Sequence, residues 1–159
     1  MAAPTPEPML AAAEALQLWA PVAWLKASTY AYPALEMVHI TGIALVFGTI
    51  WLVDLRLLGL LRGLDITAMA RQVLPWTLCG FALAAMSGLL MFSTSAAELI
   101  ANRAFLIKLC LLLCAGTNAA LLHARGALRP GETLTRCQAA LSIAIWLAVI
   151  GCGRWIAYV

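Results

Sequence analysis

The chain has 159 residues, 64% of them hydrophobic and 11% charged, with a mean hydropathy of +0.95. A soluble domain of this size cannot hide so much apolar surface, because its surface-to-volume ratio is too high. The net charge is +3 and no run of Lys or Arg stands out, which argues against a nucleic-acid partner.

The N-terminal stretch does not read as a secretory signal. Met1 to Pro8 carries Glu7 and prolines, with no basic region before an apolar core. Residues 9–25 are apolar but interrupted by Glu14, Gln17 and Pro21, and Pro21 breaks or kinks a helix there. Trp19, Trp24 and Lys26 suit the membrane–water interface. Residues 1–28 are therefore expected to be a tail and an interfacial amphipathic helix.

Four apolar runs follow, over residues 31–61, 72–95, 103–124 and 135–158. Each reaches the roughly 20 residues needed to cross a bilayer. The predicted fold is an all-α, up-down four-helix bundle in the membrane, occupying residues 29–159 as one domain. Loops of about ten residues would make sequential helices antiparallel neighbours. Pro33 is expected to start the first span, Pro75 the second, and Pro130-Gly131 to mark the third turn. Gly80, Ala84, Ser87 and Gly88 share roughly one face of the second span, where small residues let helices approach closely. Gly42 and Gly48 are expected to act likewise in the first. Cys79, Cys110, Cys114, Cys137 and Cys152 follow no CxxC spacing and read as small packing residues rather than a disulfide framework.

Arg and Lys set the expected orientation. Arg56, Arg62, Arg71, Arg125, Arg129 and Arg136 flank the first and third connections; Lys26, Arg103, Lys108 and Arg154 lie on the other side. The positive-inside rule puts the first and third connections in the cytoplasm. The N-terminal segment and the C-terminus then face the periplasm of a bacterial inner membrane. Tyr30, Tyr32, Trp76, Trp155 and Tyr158 fit an interfacial aromatic belt.

The chemistry must reside in the few polar residues inside the spans, since a charged group costs about 2.5–3.5 kcal/mol at the bilayer centre. At a rise of 1.5 Å per residue, Glu36 and His39 lie about 9–13 Å inward from the outer face. Lys108 lies at a similar depth, and Arg154 near the outer end of the last span. Asp54, Arg56, Asn118 and His123 belong to the inner half. Glu36 and His39 are three apart and share a helix face. Glu36 could accept the Nδ1 proton of His39 and leave Nε2 free for a metal or a proton; equally, it could pair with Lys108 or Arg154 and fix helix register. Asp54, Arg56, Asn118 and Arg154 read as structural polar pairs, and His123, beside Arg125, as an interfacial histidine. One haem held between His39 and His123 is disfavoured, because their depths differ by roughly 15–20 Å. A haem on His39 with Met91 or Lys108 as second ligand stands as an alternative, as does a Cu(I) site helped by Met86 and Met91.

The run Glu36-Met-Val-His39-Ile-Thr-Gly42, followed by Gly48 and Asp54-Leu-Arg-Leu-Leu-Gly59, resembles the first span of an uncharacterised family of small bacterial inner-membrane proteins. Asn102-Arg-Ala-Phe105-Leu-Ile-Lys108 through Asn118 to His123 resembles its third span, and Pro75-Trp76 with Ser87-Gly88 its second. The resemblance covers about residues 20–125. Where such proteins typically show Asn-Pro before Ala-Phe, this chain has Asn102-Arg103. The family is a domain of unknown function, so it supplies candidate residues and no activity. More distantly, the layout is similar to copper-resistance-D and cytochrome b561-like membrane domains, which handle copper or haem with histidines from several spans. The chain has two histidines, fewer than the four paired ones of a two-haem cytochrome b561.

Metalloprotease, phosphate-loop and triad-hydrolase motifs are absent. Three readings follow. The first is a redox or metal-handling subunit with haem b or copper at a Glu36/His39 site near the outer face. The second is a non-catalytic anchor or accessory subunit for another membrane or periplasmic chain. The third is a small proton-coupled carrier, which a homo-oligomer would suit.

Overall fold

A computed structural model describes residues 6–125 and 132–158. The described residues are helical almost throughout: α1 (Glu7–Leu18), α2 (Ala20–Ala27), α3 (Ala31–Leu57), α4 (Ile66–Thr94), α5 (Ala96–Ala101), α6 (Arg103–Ala124) and α7 (Thr133–Trp155), closed by a 3-10 turn at Ile156–Tyr158. Helices α3, α4, α6 and α7 are each long and apolar enough to cross a bilayer, so the chain is a multi-pass membrane protein. Its surface supports that conclusion. Large apolar side chains such as Met37, Met86, Leu89 and Leu113 point outward, whereas Ser87, Thr94, Thr135 and Asp54 are buried. This inversion suits lipid, where small residues mediate helix contact and apolar ones face the hydrocarbon.

Helix boundaries follow local chemistry. Helix α3 ends before Gly59, which adopts φ +92°, a left-handed conformation that glycine alone takes readily. The span is thus shorter than the apolar run to residue 61. Helix α4 begins at Ile66, not 72, because Asp65 caps it: its Oδ1 accepts from the Ala68 N–H at 2.6 Å. Pro75 consequently lies inside α4 rather than at its start. Trp76 falls ten residues along the helix, about 15 Å from its beginning, so it is not an end-of-helix aromatic. The segment expected to be one interfacial helix is two helices. Pro21 sits in the first turn of α2, where its missing N–H costs nothing, and the chain breaks at Trp19. The second connection is also helical: α5 is joined to α6 at Asn102, whose side chain caps α6 through the Phe105 N–H and donates to the Ile156 carbonyl. The expected Pro130-Gly131 turn and Arg129 lie outside the described residues.

Two ends of the bundle can be distinguished. The α5 end carries α1, α2, α5 and the C-terminal 3-10 turn. The loop end carries the Gly59 connection. Helices α1 and α2 pack on α5 and α4, and Gln17 donates to the Thr94 carbonyl at 3.4 Å.

The bundle is built from two antiparallel hairpins, α3–α4 and α6–α7, joined mainly by α3 against α7. The expectation that every sequential pair packs side by side needs one correction. Helices α4 and α6 make no close backbone approach among the described residues and touch through the stacked rings of Phe92 and Phe105, 5.5 Å apart. The α5 linker separates them. Within α3–α4 the backbones nearly touch: a Cβ on Gly42 would lie 2.6 Å from the Ala84 nitrogen, and one on Gly80 3.0 Å from the Gly42 oxygen. Gly48 has open space around it and takes no part in this seam. At the loop end all four long helices converge on Leu57, Ile66, Met69 and Ala139, with Leu122 against them.

Candidate functional site

His39 sits on α3, eight residues from its start and about 12 Å from the α5 end. Its ring packs against α4, where a Cβ at Gly88 would meet His39 Cε1 at 3.0 Å; the missing side chain makes room for the imidazole. Nδ1 lies 3.0 Å from Ser87 Oγ. The Ser87 hydroxyl is already committed as a donor to the Leu83 carbonyl at 2.5 Å. Ser87 therefore accepts from His39, which fixes the proton on Nδ1 and leaves Nε2 with a free lone pair. The buried serine, 2% exposed, thus sets the imidazole tautomer.

Sequence reasoning offered Glu36 as the Nδ1 partner; the structure gives Ser87 instead. Glu36 is exposed and makes no ion pair or hydrogen bond among the described residues, although its charge acts on both Tyr32 and His39. Lys108 is brought into the same layer from α6. Its charge also acts on His39, and its Nζ rests against the backbone of α7, 3.7 Å from where a Gly153 Cβ would stand. Among the described residues no carboxylate pairs with it. Met91 is half-buried on α4, four residues beyond Ser87 on the same face.

Arg154 does not join this group. Its guanidinium donates to the Tyr158 hydroxyl and stacks over that ring at 4.8 Å. His123 is equally remote: it is exposed near the end of α6, with Nδ1 donating to the Ala119 carbonyl one turn back at 2.8 Å. It lies about 30 Å along its helix from the α5 end, against about 12 Å for His39, so the two histidines are not brought together.

The expected ion pairs of the other half are hydrogen bonds in the structure. Arg56 Nε donates to the Leu64 carbonyl at 2.6 Å and closes the Gly59 connection. Asn118 Nδ2 donates to the Gln138 carbonyl at 3.1 Å, tying α6 to α7. Asp54, 4% exposed, has the Ser142 side chain of α7 as the polar neighbour that acts on its carboxyl. Among the described residues neither Asp54 nor Arg56 forms an ion pair. The ion pair among the described residues is Arg125–Glu132 at 3.0 Å, exposed near the end of the α6–α7 hairpin.

Among the described residues no group of three or more His, Cys, Asp and Glu is placed to hold a metal ion. The five cysteines are free, four of them exposed on the outer faces of the spans. Ser87 and Ser142 are the polar neighbours of His39 and Asp54 that the sequence reading missed. Ser87 was legible only as a small residue, and the signal that marks both is a hydroxyl within an otherwise apolar span.

No curated protein and no solved structure matches the chain. A family model does match over residues 21–159, which extends the earlier resemblance through the fourth span. With four apolar spans and one oriented imidazole between them, the chain belongs to the family of unknown function DUF6644.

Proposed function

We propose that the protein is a redox or metal-handling membrane subunit in which His39 Nε2 is the ligating atom. The observation that carries this reading is the Ser87 hydrogen bond, which holds the proton on Nδ1 and orients the ring. Ligating histidines almost always have such an outer partner on their second nitrogen. Haem b suits the donor set better than copper. An imidazole that lacks two further His, Cys, Asp or Glu donors among the described residues is a poor copper cage, whereas a porphyrin brings four nitrogens of its own. Met91 would be the second residue to hold it. Lys108, free of carboxylates, and Arg103 at the start of α6 would meet the two propionates, and Lys108 would then serve as a counter-charge rather than a ligand. The gap between α4 and α6, bridged by Phe92 and Phe105, is where a flat apolar group would enter from the lipid. By the positive-inside distribution this layer faces the periplasmic side of a bacterial inner membrane.

Optical spectra of the purified protein, oxidised and dithionite-reduced, with metal analysis of the same sample, test the reading. The expected result is a Soret band with a reduced α-band, lost in His39→Ala. A preparation with neither haem nor stoichiometric copper would sink it and leave an anchoring subunit, recognised by co-purification of another chain.

A further inference from the structure

A second polar centre lies near the loop end, away from His39 and independent of the reading above. Asp54 is three residues before the end of α3, about one helical turn inside the loop end, and is 96% buried by its 4% exposure. Its Oδ2 has no hydrogen-bond partner, and Trp51 Nε1, on the same face of α3 one turn back, is likewise buried and unpartnered. These are the orphaned buried side-chain atoms among the described residues, and they fall within one turn of a single helix.

Among the described residues no cation pairs with the carboxyl. Among the described residues, the charged and titratable groups at the loop end of the elements around it are Arg56 on α3, Arg62 and Asp65 in the loop, Arg71 on α4, His123 on α6, and Arg136 and Cys137 on α7. None forms an ion pair with Asp54; Arg56 and Arg62 are bonded to the Leu64 and Gly59 carbonyls. A bare carboxylate with one hydroxyl partner, in the membrane, carries a desolvation cost that nothing visible repays. The group that neutralises it without needing extra ligands is a proton. An alkali cation would need several oxygens, and the neighbouring orphan is an N–H donor that repels it. Toward the His39 layer the path is closed by the Gly42–Gly80 seam, where backbones meet with no room for a Cβ. Toward the loop end the distance is one turn.

We propose that Asp54 is a proton-binding site inside the membrane that exchanges with water at the loop end. Oδ2 accepts H⁺ from water, the carboxylate becomes a neutral carboxylic acid, and release reverses the step. No electron moves and no other bond changes. The Ser142 hydroxyl positions the carboxyl, and water satisfies Trp51 Nε1. Intramembrane carboxyls of this kind characteristically serve proton transfer, so the site gives the protein a proton-handling capacity on the face opposite His39.

Infrared difference spectra of the full chain in lipid nanodiscs, recorded across pH, test this. The expected result is a C=O stretch of a protonated carboxyl that shifts in D₂O and is lost in Asp54→Asn. Ser142→Ala, which leaves the acid in place, should move the same band to higher frequency. His39→Ala should leave it unchanged, so this test stands apart from the haem test. Absence of the band at every pH, its persistence in Asp54→Asn, or its suppression when sodium replaces choline would each overturn the proposal.

Discussion

Ser87 is the residue on which the His39 site turns. Replacing it with Ala removes the Ser87 acceptor from the half-buried His39 ring, at a cost of about 1 kcal/mol. On the proposed haem role, affinity for haemin should fall about 10–100-fold, the usual loss when the outer partner of a ligating histidine is removed. Titrating the apoprotein of wild type and Ser87→Ala with haemin measures the difference, and equal affinities would show that the ring needs no such support. His39 itself was legible in the sequence, because an imidazole inside an apolar span stands out. Its partner was not, since Ser87 is separated from it by 48 residues and belongs to another helix. Glu36 looked the better candidate because it is near in sequence, yet it points away into an exposed position. A three-residue spacing puts two side chains on one face without bringing their polar atoms into contact.

The α3–α4 hairpin is the element that fixes the site. Its seam at Gly42 and Gly80 sets the helix separation, and that separation decides whether His39 reaches Ser87. A hydroxyl bridge supports it: Thr77 Oγ1 donates to Thr49 Oγ1 at 2.9 Å. Gly42→Val would place methyl groups against the Ala84 backbone, where nothing flexible can give way. We expect a loss of about 1–3 kcal/mol or more in stability, with loss of ligand, whereas Gly48→Val, which meets open space, should be tolerated apart from propensity. Thermal unfolding in detergent compares the two, and equal effects would contradict the seam. The sequence showed the small-residue face of the second span but assigned both glycines of the first span to packing. Six-residue spacing could not say which of them meets a partner, and only the crossing of the helices decides it.

At the scale of the whole molecule, charge and topology remain to be joined. The Arg-rich connections lie at the loop end, and α1, α2 and α5 gather at the other. The positive-inside rule therefore leads to a test: a C-terminal alkaline phosphatase fusion should be active and a C-terminal green fluorescent protein fusion dark. The opposite pattern would reverse the orientation and place the His39 layer on the cytoplasmic side. Asp54 and His39 would exchange faces with it, so this result also sets which compartment supplies the proton proposed for Asp54.

Length and hydropathy were sufficient for the class and the four spans. Apolar runs of more than 20 residues have one low-energy solution in lipid, a helix that satisfies its own backbone. The start of α6 at Arg103 was legible from the apolar run, whereas the start of the second span was misplaced by reading Pro75 as its first turn when Asp65 caps the helix. Tertiary structure decided the rest. Pairing of α3 with α7, the gap between α4 and α6, the Ser87–His39 bond and the isolation of Asp54 all depend on how four helices of similar composition turn about their axes. Nearly uniform apolar faces leave that rotation unspecified in the sequence, and it is settled by a few glycines and hydroxyls meeting across helices.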